Sequence, residues 1–118
     1  MQKVFVSYKL KQGVPLERYK AWSREVDQRI TPGQDGIIRF EVYVIEGAEN
    51  GAPFCQIVED IEVESWEAFA RTVAGPGMSY ILETIKDLVD ESTMQTVYGS
   101  RILPALLPAG SRPPLPSV

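Results

Sequence analysis

The stretch Tyr19–Val44, YKAWSREVDQRITPGQDGIIRFEVYV, decides how the rest of the chain is read. Leu16, Tyr19, Trp22 or Ser23, Val26 and Ile30 recur at helical spacing, so an amphipathic helix leads into it. Pro32-Gly33 and Asp35-Gly36 break that helix. Ile37–Glu46 then reads as a strand that carries an arginine and a glutamate inside an apolar run. Asp27 falls at the helix end, just before the turn. A charged group there, close to the rim of a sheet, is where a small α+β domain can hold an acid or a base.

Working outward, Lys3–Leu10 alternates and is rich in β-formers, a strand ahead of the helix. Lys11–Val14 is a loop, and Pro15 suits a first helical turn. After the second strand, Gly47–Pro53 is a hairpin loop and Phe54–Val63 a third strand. Ser65 is placed to cap a second helix, whose apolar stripe is Trp66, Phe69, Ala70 and Val73. Gly75-Pro76-Gly77 interrupts it, and Ile81, Leu82, Ile85, Leu88 and Val89 line a further helical segment. Met94–Leu103 is the fourth strand. The order β-α-β-β-α-β is a split βαβ, the ferredoxin-like α+β fold: one four-stranded antiparallel sheet with both helices on one face. One domain is expected over residues 1–103, followed by a Pro-rich tail, 104–118, that holds five of the nine prolines. Such a tail favours extended conformations or an arm laid over a partner subunit.

The other sheet face carries too much apolar surface for an isolated chain. Ile38, Phe40, Val42 and Val44 fill one parity of the second strand, yet Ile37, Tyr43 and Ile45 share the other with Arg39 and Glu41. Packing two such faces together makes a homodimer the expected assembly.

Composition narrows the function. The 118 residues are 44% hydrophobic and carry a net charge of −4, with 12 basic against 16 acidic residues. No basic cluster interleaves with aromatics, so nucleic acid is not an expected partner. With no histidine and a single cysteine, Cys55, neither a zinc nor a haem site is expected, nor an activated thiol; Cys55 reads as a small buried hydrophobe. No apolar run reaches the length of a membrane span and Met1 leads straight into a strand, so no membrane partner and a cytoplasmic location are the expectations.

The Trp22…Asp27 helix ending (W-x4-D), the turn Thr31-Pro32-Gly33, the strand RFEVYV (Arg39–Val44) and IEVESWEAF (Ile61–Phe69) together resemble the HapK/RedY-like family of the dimeric α/β-barrel superfamily. The resemblance covers roughly residues 3 to 103. It implies a small protein without a cofactor, acting on a compact aromatic or heteroaromatic intermediate in bacterial pathways to pyrrole or indole pigments and bisindole alkaloids. Related branches place a histidine where this chain has Asp27, so Asp27 stands in as the acid or base. The superfamily spans oxygenases, cyclases, decarboxylases and non-catalytic members, and fold alone does not choose among them.

Three charged residues are the catalytic candidates. Asp27 can act as general base if burial raises its pKa, and an acid at the negative end of a helix dipole calls for a reason. Arg39 can steady developing negative charge with its planar fork, or pair with Glu59 or Asp60 on the next strand. Glu59 shares its parity with Cys55, Ile57 and Ile61, which marks it as a buried carboxylate: a catalytic group, or a partner for Arg39. Tyr8, Trp22, Tyr43 and Trp66 are candidates to line a pocket for a flat substrate, Tyr8 first among them. The reading that joins these is a cofactor-independent cyclase or isomerase working by proton transfer. A cofactor-free monooxygenase and a non-catalytic carrier of a labile intermediate are the alternatives.

Overall fold

Apolar alternation at Val4, Val6, Tyr8 and Leu10 builds β1 (Gln2–Leu10), all four side chains buried, in a computed structural model that describes residues 1–104, 106 and 110. The Pro-rich tail expected over 104–118 otherwise lies outside those residues. β1 is followed by α1 (Leu16–Trp22), a π-helical turn (Ser23–Asp27), α2 (Gln28–Ile30) and a 3-10 turn (Thr31–Gly33). Then come β2 (Ile37–Val44), β3 (Ile57–Val63), α3 (Trp66–Ala74), a 3-10 turn (Pro76–Met78), α4 (Ser79–Ile85) and β4 (Val89–Ser100). The sheet is four-stranded and antiparallel, in the order β2-β3-β1-β4. This is the α+β topology expected from the sequence.

Register explains which residues meet. Val4, Val6 and Tyr8 stand opposite Ile61, Glu59 and Ile57, while Phe40, Val42 and Val44 oppose the same three β3 residues from β2. This face packs on the helices, with Tyr19, Phe69, Ile85, Leu88 and Val89 completing the core. The other face pairs Phe5 with Asp60, Ser7 with Val58, Arg39 with Glu62 and Tyr43 with Val58.

Local chemistry departs from the expected boundaries at four places. The second strand ends at Val44 rather than Glu46 and the third begins at Ile57 rather than Phe54, with Ile45 N to Gln56 O at 2.8 Å as the last backbone bond between them. The Gln56 side chain accepts from Leu10 N at 2.8 Å. A β-bulge between Ile37 and Arg39 turns Ile37 towards the core, opposite Val63, and leaves Ile38 47% exposed, so Ile38 is not part of the inward set. The fourth strand runs from Val89, not Met94, and stops at Ser100, not Leu103; Leu88 and Val89 are buried, but not on a helix. Leu88 N bonds back to Ile85 O as α4 ends, and Leu10 pairs with Val89. β4 then loses register against β1: Ser7 faces Gln95 and Lys9 faces Asp90, so residues 91–94 stand opposite Tyr8 alone.

Ser65 caps α3 as expected, its hydroxyl accepting from Ala68 N at 3.1 Å. Gly36 enters β2 at φ 80°, and its carbonyl accepts from Glu64 N at 2.9 Å. A Cβ there would come within 3.1 Å of the Ala68 Cβ. Gly36→Ala should therefore destabilise the fold by about 1–2 kcal/mol, the cost of a side chain in left-handed backbone, plus the close contact. Urea unfolding of the two proteins checks this; an unchanged midpoint would show that the turn relaxes freely.

Candidate active site

Tyr19, Ser23, Asp27 and Thr31 are spaced by four and are all buried. In an ideal α-helix such a series drifts about 40° around the axis at each step. The π turn over Ser23–Asp27 is wider, with Gln28 N reaching back to Ser23 O, and it takes up that drift. One polar stripe therefore faces the sheet where the apolar stripe would otherwise continue. Thr31, in the turn that Pro32 opens, donates its hydroxyl to Asp27 Oδ1 at 2.6 Å.

Glu59 comes from the opposite side. It lies on the inward parity of β3 between Ile57 and Ile61, opposite Val6 and Val42, and is buried. Tyr8 donates its hydroxyl to Glu59 Oε2 at 2.5 Å, and the Tyr8 and Tyr19 hydroxyls are 2.5 Å apart.

Asp27 and Glu59 both open into one cavity of about 390 Å³ between the sheet and the helices. Val6, Phe40 and Ile61 form its sheet side, and Phe69, Met78 and Ile81 its helix side. Lys86 and Glu91 also line it, together with Met94 from the displaced segment of β4. The volume is at the lower end of the roughly 300–1,000 Å³ typical of small-molecule sites. A larger cleft of about 480 Å³, between Gly33–Gly36 and Arg71–Gly77, contains none of the buried carboxylates or tyrosines.

Burial dominates the electrostatics. Loss of hydration pushes the Asp27 carboxyl up to about 6, against the opposing hydrogen bond from Thr31. Loss of hydration, reinforced by the negative charge of Asp27, pushes Glu59 up to about 8, again against the hydrogen bond from Tyr8. Among the described residues no lysine or arginine forms an ion pair with either. The two groups repel and titrate as a pair, so near neutral pH they hold about one proton between them. Burial, then the neighbouring Glu59, drives both Tyr8 and Tyr19 well above the ordinary phenol range, so both stay neutral.

Of the residues singled out in the sequence, the fold brings Asp27, Glu59 and Tyr8 together. Arg39 is elsewhere: it stands on the opposite sheet face, 55% exposed, 3.4 Å from Glu41 and 3.5 Å from Glu62. Neither Glu59 nor Asp60 is its partner; Asp60 pairs with Lys3 at 2.7 Å. Strand parity is the reason, since Arg39 and Glu62 share the outer face while Glu59 points inward. Tyr43 is on that outer face too, 49% exposed. Trp22 donates its indole N–H to Thr84 Oγ1 at 2.8 Å, and Trp66 stacks on Tyr98 with ring centroids 4.4 Å apart; neither lines the cavity. Sequence pattern does not single out Tyr19, Ser23 and Thr31 as site residues. Their signal was the four-residue spacing with Asp27, masked by the apolar residues between them.

The family model for REDY-like protein HapK matches residues 2–102. Among curated proteins no sequence match was found. The crystal structure of HapK from Hahella chejuensis superposes with a TM-score of 0.71 at 14% identity, over 92% of this chain and 100% of that one. SnoaB from Streptomyces nogalater, a cofactor-independent oxygenase, gives 0.63 at 17% identity, over 87% of this chain and 95% of that one. A dimeric protein of ferredoxin-like fold from Bacteroides fragilis gives 0.59 at 14%, over 85% and 95%. At these identities the likenesses establish the ferredoxin-like fold.

A buried carboxyl with a raised pKa ties stability to pH. Between its ordinary value of 4.5 and about 8, Glu59 binds more proton in the folded than in the unfolded chain. Its contribution is therefore present at low pH and lost as pH rises through that window. Glu59→Gln keeps the shape and cannot ionise. Across pH 5–8 the natural chain should lose stability relative to Glu59→Gln, with a slope difference of up to about 1.4 kcal/mol per pH unit. Denaturation at several pH values checks this, and parallel curves would show that Glu59 ionises freely.

Proposed function

Because the chain belongs to the REDY-like HapK family, we propose that it is a cofactor-independent enzyme of bacterial secondary metabolism, which moves protons on an aromatic or heteroaromatic intermediate to cyclise or isomerise it. The observation that carries this reading is the pair of buried carboxyls, Asp27 and Glu59, opening into one largely apolar cavity. Neighbouring acids whose environments push their pKa values apart divide the work of base and acid. Asp27, the more readily ionised, takes a proton from the substrate. Glu59, still protonated at neutral pH, returns one to a second atom. The exchange is redox-neutral and leaves the pair one proton transfer from its starting state. The apolar walls hold a flat ring and keep water from competing.

The likeness to SnoaB favours a second reading, a cofactor-free monooxygenase, in which the same base activates the substrate towards oxygen. Dependence of the reaction on oxygen separates the two. A non-catalytic carrier would give no product beyond one equivalent.

Arg39 and Tyr43 fit assembly better than chemistry. With Phe5 and Val97 they make the outer sheet face a mixture of exposed apolar groups and ion pairs. A second copy of the chain packed sheet to sheet covers this face, in keeping with the dimeric neighbour. Light scattering at micromolar concentration should then give twice the 13.2 kDa chain mass. A soluble monomer would show that water tolerates the open face.

Asp27→Asn preserves shape and removes the base. Turnover of the true substrate should fall by about 10²–10⁴, the usual worth of a positioned acid or base, with the circular dichroism spectrum intact. A near-normal rate with chemistry rate-limiting would rule Asp27 out as the base.

A further inference from the structure

Tyr8 and Tyr19 are not needed to form the cavity, yet their hydroxyls are buried and ordered head to tail. In the carboxylate state of Glu59, Tyr8 gives its only proton to Oε2. The short contact between the two phenols then requires Tyr19 to donate to Tyr8. Ser23, four residues along the helix, lies beside Tyr19 in the same cleft. Ser23 Oγ accepts from the exposed Gln28 amide at 3.0 Å. The donors thus run one way, from Tyr19 through Tyr8 to Glu59.

The two ends open on different spaces. Glu59 faces the catalytic cavity, whereas Tyr19 and Ser23 line a separate surface cleft of about 170 Å³ with Lys20, Arg24, Gln28, Val42 and Val44. From this geometry we infer that Tyr19 and Tyr8 are a proton relay, which reloads Glu59 from solvent at the cleft while substrate fills the cavity.

The relay deepens the acid–base reading and rests on it for its purpose. When Glu59 has given its proton to the substrate, the Tyr8 proton passes to the carboxylate. The Tyr19 proton replaces it on Tyr8, and a water in the cleft restores the proton on Tyr19. Each oxygen gains one proton and loses one, so no phenolate forms, in keeping with phenols that resist ionisation. The pair then holds one extra proton, the one Asp27 took from the substrate; Asp27 releases it to water when product leaves the cavity, and the hydroxyls rotate back before the next turnover. Tyr8 and Tyr19 act through Glu59 and are positioning residues; the titratable groups around Glu59 are Asp27 and the two phenols, with Lys86 and Glu91 on the same cavity.

The relay can be tested without turnover, with indole filling the cavity so that solvent protons reach Glu59 from the cleft. A rapid pH drop, followed by time-resolved infrared spectroscopy, reads the carbonyl stretch of the protonated Glu59 carboxyl, assigned by its loss in Glu59→Gln. Tyr19→Phe retains the ring packing and deletes the middle hydroxyl. It should slow Glu59 protonation by about tenfold or more, within reach of the ~10² that a positioned proton donor is worth. Tyr8→Phe, which deletes the hydroxyl on Glu59, should slow it in the same direction and serves if Tyr19→Phe fails to fold. Unchanged protonation rates in whichever of these variants fold would overturn the relay. Turnover with unchanged protonation rates would sink the relay and leave the acid–base reading standing. Slowed protonation in a protein that turns nothing over would uphold the relay and remove the catalytic reading.

Discussion

Two carboxyl groups share one dry space, and most of what is distinctive in this molecule follows from the cost of putting them there. Taking a carboxylate out of water is unfavourable by several kcal/mol unless a cation or hydrogen bonds compensate. Here no cation is paired with either group among the described residues, and each has a hydroxyl instead: Thr31 for Asp27, Tyr8 for Glu59. One hydroxyl apiece offsets only part of the lost hydration, so both pKa values stay raised. The pair is satisfied as hydrogen-bonded groups and dissatisfied as charges. That is the condition under which a side chain exchanges protons near neutral pH.

The secondary structure is arranged around this constraint. A regular α-helix would turn Asp27 away from the stripe that begins at Tyr19, and the π turn keeps it in line. Extra residues in β4 place Glu91 and Met94 beside the cavity instead of continuing the ladder against β1. Gly75 and Pro76 split the second helical segment, so that Met78 and Ile81 can cover the cavity while Phe69 packs from α3. Each irregularity interrupts backbone regularity at the site and nowhere in the centre of the sheet. Among the described residues no buried side-chain polar atom is left without a partner, so the network is complete as well as buried.

The sheet also divides the molecule's tasks. Its inner face carries the buried acids and the cavity; its outer face carries Arg39, Tyr43, Phe5 and the ion pairs to Glu41, Glu62 and Asp60. Surface ion pairs of that kind contribute little to stability, typically about 0–1 kcal/mol each. The two faces can therefore change independently, because alternate residues of the same strand point to each.

The order of elements, the antiparallel sheet and the inward parity of Glu59 were legible in the sequence, because strand alternation and helix-breaking Pro-Gly and Asp-Gly pairs are local properties of the chain. Asp27 was legible as an acid at an electrostatically poor position, and Glu59 as a carboxylate in an apolar parity. Their meeting was not. Arg39 and Glu59 lie on adjacent strands and looked like natural partners, and only the register shows that they face opposite sides of the sheet. The bulge that exchanges Ile37 for Ile38, the π turn that aligns Tyr19, Ser23, Asp27 and Thr31, and the hydroxyl line to Glu59 all depend on contacts between segments far apart in the chain. Composition and periodicity determined what could be buried. Tertiary packing decided which buried groups touch, because a hydrogen bond is set by distances that no local pattern encodes.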